Sequence, residues 1–529
     1  MQSVMEHRFS EVPTAQIPRS SFNRSHSHKT AFDASALVPI LVDEVVPGDT
    51  YNVQVHHMVR ASSALINPLM DNLHIDFFHF FVPYRIIWEN WEKMHGAQDN
   101  PADSIDFTTP KLSGPNADWT GTNREALLAQ YFGLPRIVMN APDISALPFR
   151  AYNKIYNEWF RDQNLQNSLP ERFGDGPDPQ GDYPLVDRFK KHDYFTSSLP
   201  FPQKGDAASI PLGISAPVVG GGGGNTFQLE TTTGLDLGLM TFNSNQGDLE
   251  TTVNAGISLP VRVTAGTPTS LEADLTSATS ATINDLRLAF QTQRLLERDA
   301  RSGTRYTEII HSHFGVTVPD YRLQRPEFLG GGSAPIHTNE VPNTSATATE
   351  DQGQLASFAT SAGSNGFTKS FEEFGLVMTL ANVRGDITYS QGAERMWFKE
   401  TRFDYYYPVL SQIGEQAILN REIYYQNAAA DEEVFGYTER YNEYRYKPSR
   451  TTNVFDPTHP QTLASWHLGE EYTAAPALNA TWLFDKTRDT LDRALAIQNQ
   501  PQFIADFYIE MVCARPMPLY GTPGNLDHF

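Results

Sequence analysis

Residues 205–282 cannot fold around a core of their own. They hold 8 charged residues and only 2 aromatics, Phe227 and Phe242, in 78 positions. The chain as a whole is 12% aromatic, and both flanks of the block are rich in Trp, Tyr and Phe. Inside it stand five consecutive glycines, Gly220 to Gly224, then TTTG (231–234) and TSATSAT (276–282). Burial of apolar surface is the main favourable term in folding, and this block has little to bury. A larger aromatic host must carry it outward. Such a layout belongs to a chain that presents a surface more than to one built around a catalytic pocket.

The host reads as β. LVPILVDEVV (37–46) ends in the turn signal PGD. Tyr51, Val53, Val55, His57 and Val59 then alternate with polar or long side chains, as in a half-buried strand. LHIDFFHFFV (73–82) is apolar on both faces, as in a strand covered on both sides. Helices are expected at 85–96, after a capping box Thr122–Glu125, and through Phe149, Tyr152, Tyr156, Trp159 and Phe160. A second box, Thr282 with Asp285, opens a helix to about Arg301 with Ile283, Leu286, Phe290 and Leu296 as its buried stripe. Residues 329–370 read as a polar Gly/Ser/Thr-rich loop. Strands return at 374–383, 395–408, 433–446 and 502–514. Strands at both ends with long excursions between them fit one antiparallel sandwich, and no strand–helix alternation recurs to suggest a βαβ repeat.

Within the block, Ile257, Leu259, Val261 and Val263 alternate, and Pro260 would confine that strand to an edge. Residues 1–30 read as an extended arm, with Arg8, Arg19, Arg24 and Lys29 against Glu6 and Glu11. The N-terminus has no apolar leader, and no run of 18 apolar residues suggests a membrane span.

Chemistry is sparse. GxSxG, HExxH, GxxxxGK[ST] and GxGxxG are all missing from the chain. The single cysteine, Cys513, sits on the alternating face of Phe503, Phe507, Ile509 and Met511 and reads as core packing. His26/His28 and His311/His313 have the HxH spacing but no further ligands in sequence, so no metal and no cofactor is expected. Asp76 and His79 read as a satisfied buried pair, and His57 as a hydrogen-bonded core histidine. With 40 Lys+Arg against 62 Asp+Glu the formal charge is −22, so any nucleic-acid contact must be local. One segment suits such contact. In YTERYNEYRYKPSR (437–450), Arg440, Arg445, Lys447 and Arg450 interleave with tyrosines, which can stack on bases while cations reach phosphates.

Several blocks together resemble a known family. They are PRSSFNRSHSHKTAFDASALVPILVDEVVPGDT (18–50), MDNLHIDFFHFFVPYRIIWENWEKMHG (70–96), LERDARSGTRYTEIIHSHFGV (296–316), PDYRLQRPEFLGG (319–331) and ADFYIEMVCARPMPLYGTPGNLDHF (505–529). In this order they resemble the major capsid protein of the Microviridae, small single-stranded DNA phages. The block at 205–282 resembles the long insertion of the gokushovirus branch, three copies of which cluster at each threefold axis. The resemblance implies a mainly β fold, an eight-stranded antiparallel jelly roll of the viral capsid type with long helix-containing loop insertions. It divides the chain into an extended N-terminal arm (1–36), the first part of the jelly roll (37–204), the surface insertion (205–282) and the remainder with its C-terminal tail (283–529).

The implied function is a non-enzymatic one: assembly of about sixty copies into a T=1 icosahedral shell around circular single-stranded DNA. The implied partners are sister copies, the genomic DNA, internal scaffolding and pilot proteins, and a host cell-surface receptor. The implied location is the virion, assembled in the bacterial host cytoplasm. Arg19, Arg24, Lys29, Arg440, Arg445, Lys447 and Arg450 are the candidates to face DNA. Gly222, Asn225, Phe227 and Phe242 are the candidates for the surface protrusion. A carbohydrate-binding jelly-roll module is the alternative, and a hydrolase with paired carboxylates is the third reading.

Overall fold

The computed structural model describes residues 18–114, 117–208, 218–220, 226–230, 236–242, 249–250, 271–273, 283–346 and 352–520. Eleven strands matter here. They are β1 (Ser20–Asn23), β2 (His26–Phe32), β3 (Val38–Val45), β4 (Thr50–Ala61), β5 (Leu73–Pro83), β6 (Glu327–Pro342), β7 (Leu355–Ser370), β8 (Gly375–Gly385), β9 (Glu415–Leu419), β10 (Val434–Glu439) and β11 (Phe503–Arg515). The longer helices are α1 (Arg124–Tyr131), α2 (Leu147–Ile155), α3 (Ile283–Ser302) and α4 (Tyr306–Phe314). None of the described helices is long and apolar enough to cross a membrane.

One antiparallel sheet dominates, in the order β1/β2–β11–β4–β7–β6–β5–β8–β3. β1 and β2 lie end to end along the same edge of β11, so the sheet has eight strand positions. The sheet curls over at β6. Residues 327–336 of that strand pair with β5, and residues 337–342 pair with β7. A bulge between Phe328 and Gly330 accompanies this turn of the sheet. The curl brings β4, β7 and β11 to face β5: Phe77 meets His57 at 4.8 Å and Phe507 edge-on at 6.1 Å, and His79 meets Phe367 at 5.1 Å. This is the jelly-roll arrangement that the sequence led us to expect.

Alternation decided the edges of the fold. Every second residue of β4 and β11 is buried, and Cys513 is fully enclosed, as its position on the apolar face requires. β5 is apolar on both faces because α2 and the π turn 156–160 cover its outer side, with Phe78 on Phe160 and Phe80 on Trp159. β8 is buried along its whole length, paired by β5 and β3. A second, smaller core gathers Phe189, Phe195, Tyr389, Ile418, Phe435 and Trp482 beneath the C-terminal excursions.

Five local expectations fail for physical reasons. Residues 329–370 are no loop: they form β6 and β7, most of them half-exposed. The glycines there allow close backbone approach. A Cβ on Gly331 would lie 2.5 Å from the Phe77 carbonyl, and one on Gly366 would run into the Val53 carbonyl. Residues 395–408 are no strand: 3₁₀ turns at Arg395–Phe398, Arg402–Asp404 and Pro408–Gln412 replace it, and Asp404 Oδ2 accepts from the Thr401 N–H and hydroxyl. The strand expected to reach residue 446 stops at Glu439. The helix at 85–96 breaks into Tyr84–Ile86 and Trp91–Met94, because Asp175 binds both Trp88 Nε1 and Asn90 Nδ2. At α1 the N-cap position is Asn123 instead of Thr122, and no side-chain cap hydrogen bond forms.

The chain divides into two units, residues 1–204 with 297–529, and Gly205–Leu296. In the second, strands 226–230, 236–242 and 249–250 form one antiparallel sheet and 218–220 pairs with 271–273. The strand expected at 257–263 and the Thr282 cap lie outside the described residues. α3 starts at Ile283 as its pattern predicts, but its apolar stripe is not buried. Ile283, Leu286 and Phe290 are exposed, Phe290 at 65%.

Candidate functional site

The segment 437–450 starts as strand β10, paired with β9. Its backbone turns at Tyr441, held in the left-handed region at φ 64° by Gln416 Oε1 on its N–H and by the Phe403 carbonyl, which accepts from its hydroxyl. A 3₁₀ turn at Asn442–Tyr444 follows, and Ser449–Arg450 closes the segment against Thr388–Tyr389. The break at Glu439 means that cations and tyrosines do not line opposite faces of one strand. Tyr441 is buried, while Tyr444 and Tyr446 are exposed.

Each cation there has a partner. Arg440 lies over the Tyr441 ring at 5.0 Å. Arg445 pairs with Glu439. Lys447 and Arg450 both approach Glu394 at 3.5 Å, and Lys447 keeps a 75% exposed side chain. Two cations on one carboxylate leave positive charge to spare, and exposed pairs of this kind are weak enough to exchange for a phosphate. Beneath them is a cavity of about 200 Å³ into which Glu394, Glu422 and Glu443 reach. Its carboxylates are held: Glu422 by Tyr194, Arg395 and the Leu419 N–H, and Glu443 by Gln416 and Lys399. Burial pushes the Glu422 carboxyl up. These contacts tie the carboxylates into the fold.

The arm candidates separate. Arg24 is a clamp: Nη1 and Nη2 both donate to Asp43, whose Oδ2 also accepts from the Tyr51 hydroxyl at 2.7 Å. The Asp43 hydrogen bond raises the Arg24 pKa further. Arg19 donates to the carbonyls of Gly48 and Ala514 and to Thr50 Oγ1. Lys29, 72% exposed and 3.3 Å from Asp506, is the freest of the three. Of the expected arm, Ser20–Asn23 and His26–Phe32 are strands paired with β11. Gly222 and Asn225 lie outside the described residues. Phe227 and Phe242 fall in the strands 226–230 and 236–242.

Asp76 and His79 are each satisfied, though not by one another. Asp76 binds Arg188 and Arg384, and His79 binds Thr379 and Asn365. His57 sits 3.4 Å from Ser361 Oγ. His313 pairs with Asp299, and the described residues hold no group of three His, Cys, Asp or Glu placed for a metal ion.

One surface escaped the sequence reading. The turns at 395–413 display Trp397 at 69% exposure and Val409 at 85%, with Phe403, Tyr405, Tyr406 and Ile413 also exposed. Tyr406 packs edge-on against Tyr441 and Tyr444, which joins this surface to the basic segment. Aromatic residues and Arg over a contiguous patch are the composition of protein–protein interface cores. The sequence signal was present in the density of aromatics at 397–407, and a strand assignment hid it.

The family model described as capsid protein (F protein) matches residues 10–525. The chain is 43% identical to capsid protein VP1 of Bdellovibrio phage phiMH2K, over 99% of this chain and 98% of that protein. It is 39% identical to capsid protein VP1 of Chlamydia phage 1, over 99% and 98%. It is 37% identical to capsid protein VP1 of Spiroplasma virus 4, over 98% and 97%.

Proposed function

This chain belongs to the capsid protein (F protein) family of the Microviridae, a structural protein of the virion, and from that premise we propose that about sixty copies close into a T=1 icosahedral shell around circular single-stranded DNA. The observation that carries the proposal is the apolar surface at 395–413, which one chain leaves uncovered. Heterologous contacts between copies would cover it. The uncovered stripe of α3 supports a second contact, in which copies cluster through the 205–282 insertion to form a protrusion that meets a host receptor. Lys29, Arg445, Lys447 and Arg450, all exposed, are the cations that would meet DNA. Scaffolding and pilot proteins inside the shell, and assembly in the host cytoplasm, complete the reading. Family membership sets aside the carbohydrate-binding and hydrolase alternatives.

Particle formation in the host tests the shell directly. The wild-type chain is expected to sediment as closed particles containing DNA. Trp397→Asp with Val409→Asp is expected to leave a folded subunit with an unchanged melting temperature and no particles. Normal particles from that double variant would remove this surface from the assembly. Charge reversal at Arg445 and Lys447 is expected to leave shells that hold less DNA, and unchanged packaging would remove those two residues from the DNA-facing set.

A further inference from the structure

A cavity of about 660 Å³ lies in the main unit. It is walled by the π turn and the chain after it (159–164), by residues 188–192 and by the link between α3 and α4 (301–305). In a chain of net charge −22 its lining holds seven cationic side chains and two carboxylates.

Three of those cations are balanced from behind the wall: Lys190 by Glu470, Lys191 by Asp386 and Arg301 by Glu415. The remaining four, Arg161, Arg188, Arg305 and Arg384, have two carboxylates among them. Arg188 and Arg384 share one oxygen of Asp76, at 2.6 and 3.0 Å. Burial and the neighbouring Arg384 push the Arg188 pKa down to about 10. Arg305 pairs with Glu308 at 3.1 Å and donates to the Arg161 carbonyl at 2.7 Å, while Arg161 forms no ion pair among the described residues. Burial and Arg305 push the Arg161 pKa down. The Nε–H groups of Arg161, Arg305 and Arg384 are buried without a hydrogen-bond partner among the described residues. Like charges held together with unmet donors are costly unless an anion joins them.

The lining is also aromatic, and the Arg188 guanidinium lies 5.7 Å from the centre of the Phe160 ring. Phe160, Trp159 and Phe328 reach the cavity, with Trp159 and Phe328 at 5.5 Å, and Phe328 is 40% exposed. A site lined by cations and aromatic rings fits a ligand that carries an anion and a flat ring together. We propose that this cavity binds one nucleotide of a single-stranded DNA, its phosphate at the Arg161, Arg188, Arg305 and Arg384 wall and its base against Phe328. The choice of a DNA strand over a free nucleotide rests on the reading that the shell encloses DNA. Stacking and phosphate contact together are how proteins hold single strands without reading sequence.

Titration of the purified full chain with the tetranucleotide (dT)4, an abasic tetramer, dTMP and inorganic phosphate tests this. (dT)4 is expected to bind tightest. Arg161→Gln is expected to weaken it about tenfold and to lower the salt dependence by about one phosphate contact. Phe328→Leu, which keeps bulk and removes the ring, is expected to weaken (dT)4 about fivefold and to leave the abasic tetramer unchanged. That split would not arise from a structural defect. Equal binding of dTMP would overturn the strand in favour of a free nucleotide, and equal binding of phosphate would reduce the site to an anion hole. Displacement of (dT)4 by an acidic aromatic peptide at lower concentration, or unaltered (dT)4 binding by both variants, would also overturn the proposal. Particle formation is scored on the same variants. Intact DNA-filled shells from a chain that fails the titration sink only the cavity, whereas a wild-type chain that forms no shell sinks the assembly reading.

Discussion

His79 shows how a residue's chemistry follows from its enclosure. It lies at the centre of β5, fully buried, and its ring takes Thr379 on Nδ1 and Asn365 on Nε2. Burial lowers its pKa to about 4, and the Asn365 hydrogen bond offsets only part of this. In the unfolded chain an ordinary histidine titrates near 6.5. The folded protein therefore binds fewer protons than the unfolded one between these values. Stability from this group is whole above pH 6.5 and drains away as pH falls toward 4. The wild-type subunit is expected to lose about 2–3 kcal/mol more than His79→Gln between pH 7.5 and 4.5. Denaturant unfolding at the two pH values measures it, and parallel losses would show that the ring is solvated. Arg24 teaches the complementary lesson. Its charge marked it in the sequence as a candidate for DNA, but Asp43 and Tyr51 claim it once β3 and β4 stand beside the arm.

At the scale of elements, the arm is the informative case. β1 and β2 give β11 a neighbour on its outer edge, and the chain turns between them where Arg24 N–H reaches the Met511 carbonyl and Met511 N–H reaches Ser25 Oγ. Phe32 is buried against Phe503 at the end of β2. Deletion of residues 2–32 is expected to destabilise the subunit by at least about 3 kcal/mol through loss of Phe32 burial and of the ladder. It should also expose a long, half-apolar edge that invites aggregation. Thermal melts and light scattering read the two effects, and a truncated chain that melts like the wild type and stays dispersed would refute it. β6 and β7 mark the opposite failure of inspection. Their Gly, Ser and Thr content suggests a loop, and only the flanking strands β5 and β4 supply the partners that make them a sheet.

For the whole molecule, the aromatic-poor block governs. With two aromatics in 78 positions, residues 205–282 carry too little apolar surface to anchor a core. A chain in which a short Gly/Ser linker replaces 205–282 is expected to melt within a few degrees of the wild type, because a surface change away from the core costs little. Its particles should lack surface protrusions in electron micrographs. Collapse of the subunit would show that the block is part of the fold. Residues that announce themselves by period were readable in advance: the alternations of β4 and β11, the double-faced run of β5, Cys513 on its apolar face, and the start of α3. Family membership was readable from motif blocks in order, which no composition argument could match.

What the bare chain could not show is who sits beside whom. Asp76 takes its partners from residues 188 and 384, Arg24 from Asp43, and the cationic cavity assembles residues from 78 to 483. Charge, periodicity and turn chemistry are local properties, carried by a few neighbouring residues. Pairing, burial and electrostatic surplus depend on distance in space, and the curl of the sheet at β6 sets those distances.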